Sequence, residues 1–101
     1  MPASQTIQVI VCEPGEQPVL KLIPSGLEGM QAVVGGMIEL VRLGQFDLYC
    51  NEEGLMMELP FNRYVGRTPI VGTFFVCKAD DEGNTLGLSD ADVALVLKAL
   101  S

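Results

Sequence analysis

Residues 6–23 read TIQVIVCEPGEQPVLKLI, and this stretch decides the architecture. Thr6–Cys12 is a β-branched, apolar run with apolar groups on both faces, the pattern of a strand central in a sheet. It stops at Glu13-Pro14-Gly15. The segment EPGEQ is turn chemistry, and residues 18–23 (PVLKLI) return as the partner strand of a hairpin.

Outward from this hairpin the chain alternates short elements. Ile23-Pro24 ends the second strand, and Ser25 with Glu28 three residues later has the form of a capping box. Leu27, Met30 and Val34 recur at helical spacing, and Gly35-Gly36 supplies a left-handed end to a short helix weakened by Gly29. The diglycine is not a phosphate loop: it follows the helix, whereas phosphates sit at helix N-termini, and neither G-x-G-x-x-G nor G-x-x-x-x-G-K-[ST] is present. Residues 37–43 and 46–51 are strand-like runs split by Gly44-Gln45, suited to a type II′ turn. In the second run Phe46, Leu48 and Cys50 point one way and Asp47, Tyr49 and Asn51 the other, which predicts one wet face.

Glu52-Glu53-Gly54 forms a turn, and residues 55–67 (LMMELPFNRYVGR) read as an irregular loop bracketed by Pro60 and Pro69. Residues 70–77 (IVGTFFVC) are the most apolar strand, with Gly72 at a bulge or close approach. After a polar loop at 80–84, Ser89 caps a last helix with Asp90 and Asp92 in its first turn and Lys98 near its end, matching the dipole. Its apolar stripe is Val93, Val96, Leu97 and Leu100. The expected fold is α+β, one compact domain over residues 1–101: a mostly antiparallel sheet of about five strands with two helices packed on one face.

Composition narrows the function. Hydrophobic residues make up 49% and charged residues 19% of 101 residues, ample material for one core rather than a disordered chain. Thirteen acidic against six basic residues give a net charge of −7. Such a surface repels phosphate backbones, and the basic residues form no run, so direct nucleic-acid binding is not expected. The start of the chain lacks the basic and apolar regions of a secretory signal, and no apolar run approaches the ~18 residues of a membrane span. Cys12, Cys50 and Cys77 each lie in an apolar stretch, which fits buried free thiols in a reducing, cytoplasmic setting.

Histidine is absent. That removes the commonest general base, the commonest metal ligand and both Ser–His and Cys–His nucleophilic pairs. Cys50, nearest a strand end, is the cysteine to test, although a small core residue is the competing reading. A thiolate or lysine nucleophile remains open, and carboxylates at Glu52, Glu53 and Glu58 allow a hard cation or an acid/base pair. Residues 80–84 (DDEGN) share the composition of a calcium loop but not its spacing. No catalytic residue, metal ligand set or cofactor is assigned.

The densest constellation combines Asn51, Glu52 and Glu53 with Asn62, Arg63, Tyr64 and Arg67. Two of the six basic residues fall here with an aromatic between them. Arginine's fork suits phosphate or carboxylate groups, and a ring can stack on a base. This is a candidate site for a small anionic or nucleotide-like ligand. The alternative is structural: Arg63 or Arg67 pairs with Glu52 or Glu53 to pin the loop.

The segments Asn51-Glu52-Glu53-Gly54, then Leu59-Pro60 with Asn62-Arg63, then residues 71–76 (VGTFFV), taken with the EPG turn and the helix ending in Gly35-Gly36 before a Met-Ile-Glu strand, span nearly the whole chain. In this order they resemble a small domain family of bacterial, plasmid and bacteriophage genes that is catalogued as of unknown function. Phe61 departs from that pattern, in which a second proline commonly follows Pro60. The resemblance implies a single domain in a phage or mobile-element setting, with an accessory role such as interfering with a host protein or sequestering a small molecule. It carries no activity or catalytic residue.

The function expected first is therefore a non-enzymatic protein-interaction module, partnered by another protein or by a second copy. It would act through a sheet edge or the Leu55, Met56 and Met57 patch. The small-ligand binder at residues 51–67 is the alternative. A carboxylate-based, metal-dependent enzyme comes third.

Overall fold

The computed structural model of the chain describes residues 6–100. Eight strands and two helices follow in the order β1 (Thr6–Cys12), β2 (Val19–Pro24), α1 (Leu27–Val34), β3 (Ile38–Leu43), β4 (Phe46–Asn51), β5 (Phe61–Val65), β6 (Thr68–Val71), β7 (Phe74–Ala79), β8 (Thr85–Leu86) and α2 (Asp90–Leu100). The main sheet runs β2-β1-β7-β4-β3, with β8 added to β7, and β5-β6 forms a separate hairpin. Every pairing is antiparallel. The class is α+β, as expected.

The most apolar strand takes the centre. Val76 of β7 faces Ile10 of β1 on one side and Leu48 of β4 on the other, and Phe74, Phe75, Val76 and Cys77 are completely buried. Because β1 and β7 are apolar on both faces, both faces need a cover. Val9, Val11, Phe75 and Cys77 pack with Met30 and Val34 of α1. Ile10, Cys12, Phe74 and Val76 pack with Val96 and Leu100 of α2 and with Val65 and Ile70 of the hairpin. The helices thus cover opposite faces, correcting the one-faced arrangement expected from sequence. The same cause removes the wet face expected of β4: Asp47 and Asn51 are only 6% and 4% exposed, and Tyr49 lies beside Phe75 with ring centroids 5.6 Å apart.

The second correction concerns residues 55–77. The expected loop holds β5, and the expected strand at 70–77 is two strands broken at Gly72. Val65 pairs with Thr68 across Gly66-Arg67, where Gly66 has φ 62°. Gly72, at φ 76°, donates its N–H to Pro60 O at 2.7 Å, and a Cβ there would lie 2.7 Å from Leu59 Cδ1. This is the close approach anticipated for that glycine, and it turns the chain from hairpin into main sheet. Five expected strands become eight.

Helix ends divide likewise. Gly35 ends α1 in the left-handed conformation as expected, its N–H on Gln31 O at 2.8 Å. The Ser25/Glu28 capping box does not form: Gly26 is the N-cap, and no side chain caps it. Ser89 does cap α2, with Oγ accepting from Asp92 N at 3.1 Å while Asp92 Oδ2 accepts from Ser89 N at 2.9 Å. Leu97, part of the core-facing stripe expected of α2, is exposed, and so is Leu27 at the start of α1.

Lys78 of β7 reaches Asp92 Oδ2 at 2.7 Å and ties the start of α2 to the sheet. This lysine, followed by the Ser89 N–H, holds the Asp92 carboxyl at about 2 against an ordinary 3.8. A carboxyl depressed by folding contributes stability above its unfolded value and loses it as pH falls through the folded one. Urea midpoints measured from pH 5 to pH 2 should therefore fall more steeply for the wild type than for Asp92→Asn.

Candidate functional site

Asn51, the last residue of β4, organises the turn that follows. Its Nδ2 donates to Val34 O at 3.2 Å, at the end of α1, and lies 3.6 Å from Met57 Sδ. Its Oδ1 accepts from Glu53 N at 2.8 Å, an Asx turn that starts the bend. Gly54 N–H donates to Asn51 O, Met57 N–H to Glu53 O, Glu58 N–H to Leu55 O and Leu59 N–H to Gly54 O. Gly54 is required by space, since a Cβ would sit 2.6 Å from Val71 Cγ2. Glu58, at φ 57°, is the one non-glycine residue with positive φ among those described. The result is a self-closed loop that holds its apolar residues outward: Leu55, Met56 and Met57 are 77%, 82% and 51% exposed.

Beside this loop lies an open cleft of about 270 Å³ between β3, the end of β4 and β6. The hairpin seats Ile70 in the core over the sheet, but its cover stops short of β3, and Val41 of that edge strand is left partly buried on the cleft wall. Glu39, Glu52 and Leu55 also line it.

The arginine constellation is divided. Asn51 and Glu52 line this cleft, whereas Arg63 lines a different cavity of about 520 Å³ with Glu16, Pro18, Leu97 and Leu100. Arg63 Nε donates to Asn62 Oδ1 at 3.0 Å, and its two terminal nitrogens donate to Leu100 O at 3.2 Å and Glu16 O at 3.0 Å. Asn62 Nδ2 in turn donates to Cys12 O at 3.0 Å and Gly72 O at 2.8 Å. Arg63 does pin its segment, but onto backbone carbonyls. The expected pairing of Arg63 or Arg67 with Glu52 or Glu53 does not occur, because the ion pairs among the described residues are Lys21–Glu13, Arg42–Asp47 and Lys78–Asp92. Arg67 stands exposed in the hairpin turn, and exposed Tyr64 packs edge-on against Phe61 at 5.3 Å.

The cysteines are free and buried. Burial pushes the Cys12 thiol up to about 11 and, with the Asp47 carboxylate adding to it, the Cys77 thiol up to about 12. Cys50 is raised as well, first by burial and then by Glu39. Since only the thiolate attacks, none of the three should be labelled by an alkylating agent at pH 8 until denaturant is added. Mass spectrometry of the treated protein reads this directly, and rapid labelling of Cys50 alone would mark it as reactive. Among the described residues no group of three or more acidic or cysteine side chains gathers as metal ligands. Asp80 accepts from Glu82 N, Asn84 N and Asn84 Nδ2 within the polar loop expected at 80–84. No helix among the described residues is long and apolar enough to cross a membrane.

Sequence reasoning reached the exposed loop through its leucine and methionines. It missed the cleft, for which no local pattern exists: Val41 and Ile70 are remote in the chain and meet only once the hairpin folds over the sheet. Residues 7–101 match the domain family of unknown function DUF3846, and the chain belongs to that family. No curated protein and no solved structure matches it.

Proposed function

We propose that this member of a domain family of unknown function is a non-enzymatic protein-interaction module, and that the loop carrying Leu55, Met56 and Met57 is its contact surface. The observation that carries this reading is the exposure of three consecutive large apolar side chains on a loop closed by its own backbone hydrogen bonds. Large apolar groups held in water favour a surface that a partner covers. A loop fixed before binding loses little further freedom on association, and methionine adapts its shape to what it meets.

The double variant Leu55→Asp/Met56→Asp tests it. Both residues are exposed, so the variant should melt at the wild-type temperature. Immobilised wild-type protein should retain a partner from cell extract that the variant does not, and sedimentation equilibrium should show whether the partner is a second copy. Retention of the same partners by the folded variant would overturn the assignment.

A further inference from the structure

We propose that the partner is a basic, amphipathic peptide segment, with one apolar side chain seated in the cleft beside β3 and its lysines or arginines on the carboxylates around it. This inference rests on the reading of the Leu55–Met57 loop as a contact surface and specifies what that surface takes. The cleft has apolar walls in Val41, Ile70, Val71 and Leu55 and carries Glu39 and Glu52. At about 270 Å³ it lies just below the range of roughly 300–1,000 Å³ that holds a whole drug-sized ligand, a size better matched to a single anchoring side chain.

The surroundings set the sign of the partner's charge. Glu53 and Glu58 flank the three apolar residues in sequence, and Glu39, Glu52, Glu53 and Glu58 are all exposed. None of the four enters an ion pair among the described residues. Arg42, adjacent to Val41 of the cleft, is taken by Asp47, and Arg67, adjacent to Thr68, forms no ion pair with them, so these carboxylates stay uncompensated. Adaptable methionines ringed by unpaired carboxylates are complementary to an apolar stripe flanked by cations, and they reject an acidic segment of equal hydrophobicity. In a chain of net charge −7 this also speeds encounter with basic partners.

The test uses a fluorescein-labelled amphipathic peptide of leucines and lysines, and a twin in which every lysine is glutamate, titrated with the full chain and read by anisotropy. The lysine peptide should bind, less tightly as salt rises, and the glutamate twin should not. Glu52→Lys/Glu53→Lys should weaken binding about tenfold or more, whereas Asp81→Lys/Glu82→Lys, with the same change in net charge, should alter it by about twofold at most. Equal losses from the two pairs would show attraction to overall charge and overturn the assignment of the cleft. Equal binding of the twin, or binding of neither peptide, would overturn the basic partner. In either case the interaction reading itself stands or falls separately, on whether Leu55→Asp/Met56→Asp loses its partner from extract.

Discussion

Replacing Arg63 by alanine should lower the unfolding free energy by about 2–3 kcal/mol and the melting temperature by on the order of 10 °C. Its guanidinium bridges three parts of the chain: its own strand through Asn62, the end of α2 through Leu100 O, and the turn between β1 and β2 through Glu16 O. A hydrogen bond to a charged donor is worth roughly 1.5–3 kcal/mol. The side chain is half-buried, so water takes over part of each lost contact and the sum stays below three full bonds. The cation also lies at the C-terminal end of α2, where it complements the helix dipole. Arg63→Lys keeps the charge but cannot span three acceptors with one ammonium, and should recover less than half of the loss. Guanidinium unfolding of the three proteins checks this. An alanine variant with the wild-type midpoint would mean that the three contacts do not hold in solution, and Arg63 would return as a candidate for an anionic ligand.

Arg63 also shows where reading the sequence runs out. An arginine beside an asparagine and a tyrosine has the composition of a ligand site, and nothing nearby in sequence tells it apart from a structural brace. The acceptors that decide the matter are backbone carbonyls 37 and 47 residues away, which any residue type supplies. The hairpin β5-β6 stayed hidden for a related reason. Pro60, Pro69 and Gly72 punctuate it as a loop would be punctuated, yet β6 has a single partner strand, and an edge strand tolerates a proline. By contrast, β1 with β2 and β3 with β4 are hairpins joined by short turns, and the Gly35 end of α1 and the Ser89 cap of α2 rest on bonds within four residues, so these were legible. Short turns fix which strands pair but not which face of the sheet each helix covers. A strand apolar on both faces, such as Thr6–Cys12, already demands cover on both sides of the sheet.

Asn51→Ala should cost about 2–3 kcal/mol, and the contact loop should lose its shape with it. Asn51 is 4% exposed, so no water replaces the donor that Val34 O loses at the end of α1, and Glu53 N–H loses the acceptor that begins the loop. Amides of residues 53–59 should then exchange with solvent faster than those of β7, and the affinity for any partner of Leu55, Met56 and Met57 should fall even under conditions where the sheet remains folded. Asn51→Asp separates packing from donor chemistry. An ionised carboxylate at this position keeps the bond from Glu53 N–H but meets Val34 O as a second acceptor, buried and unpaired, so at pH 7 this variant should be no more stable than alanine. Burial and the facing carbonyl raise the folded pKa of the new carboxyl above its unfolded value. A carboxyl raised in this way stabilises in its neutral form, so the deficit should shrink as pH falls toward the unfolded value and return as pH rises through the folded one. Protonated, it donates to Val34 O as the amide does. Equilibrium unfolding of wild type, Asn51→Ala and Asn51→Asp at pH 4 and pH 7 resolves this. If Asn51→Asp shows the same deficit at both, the bond to Val34 O is not what sets the loop.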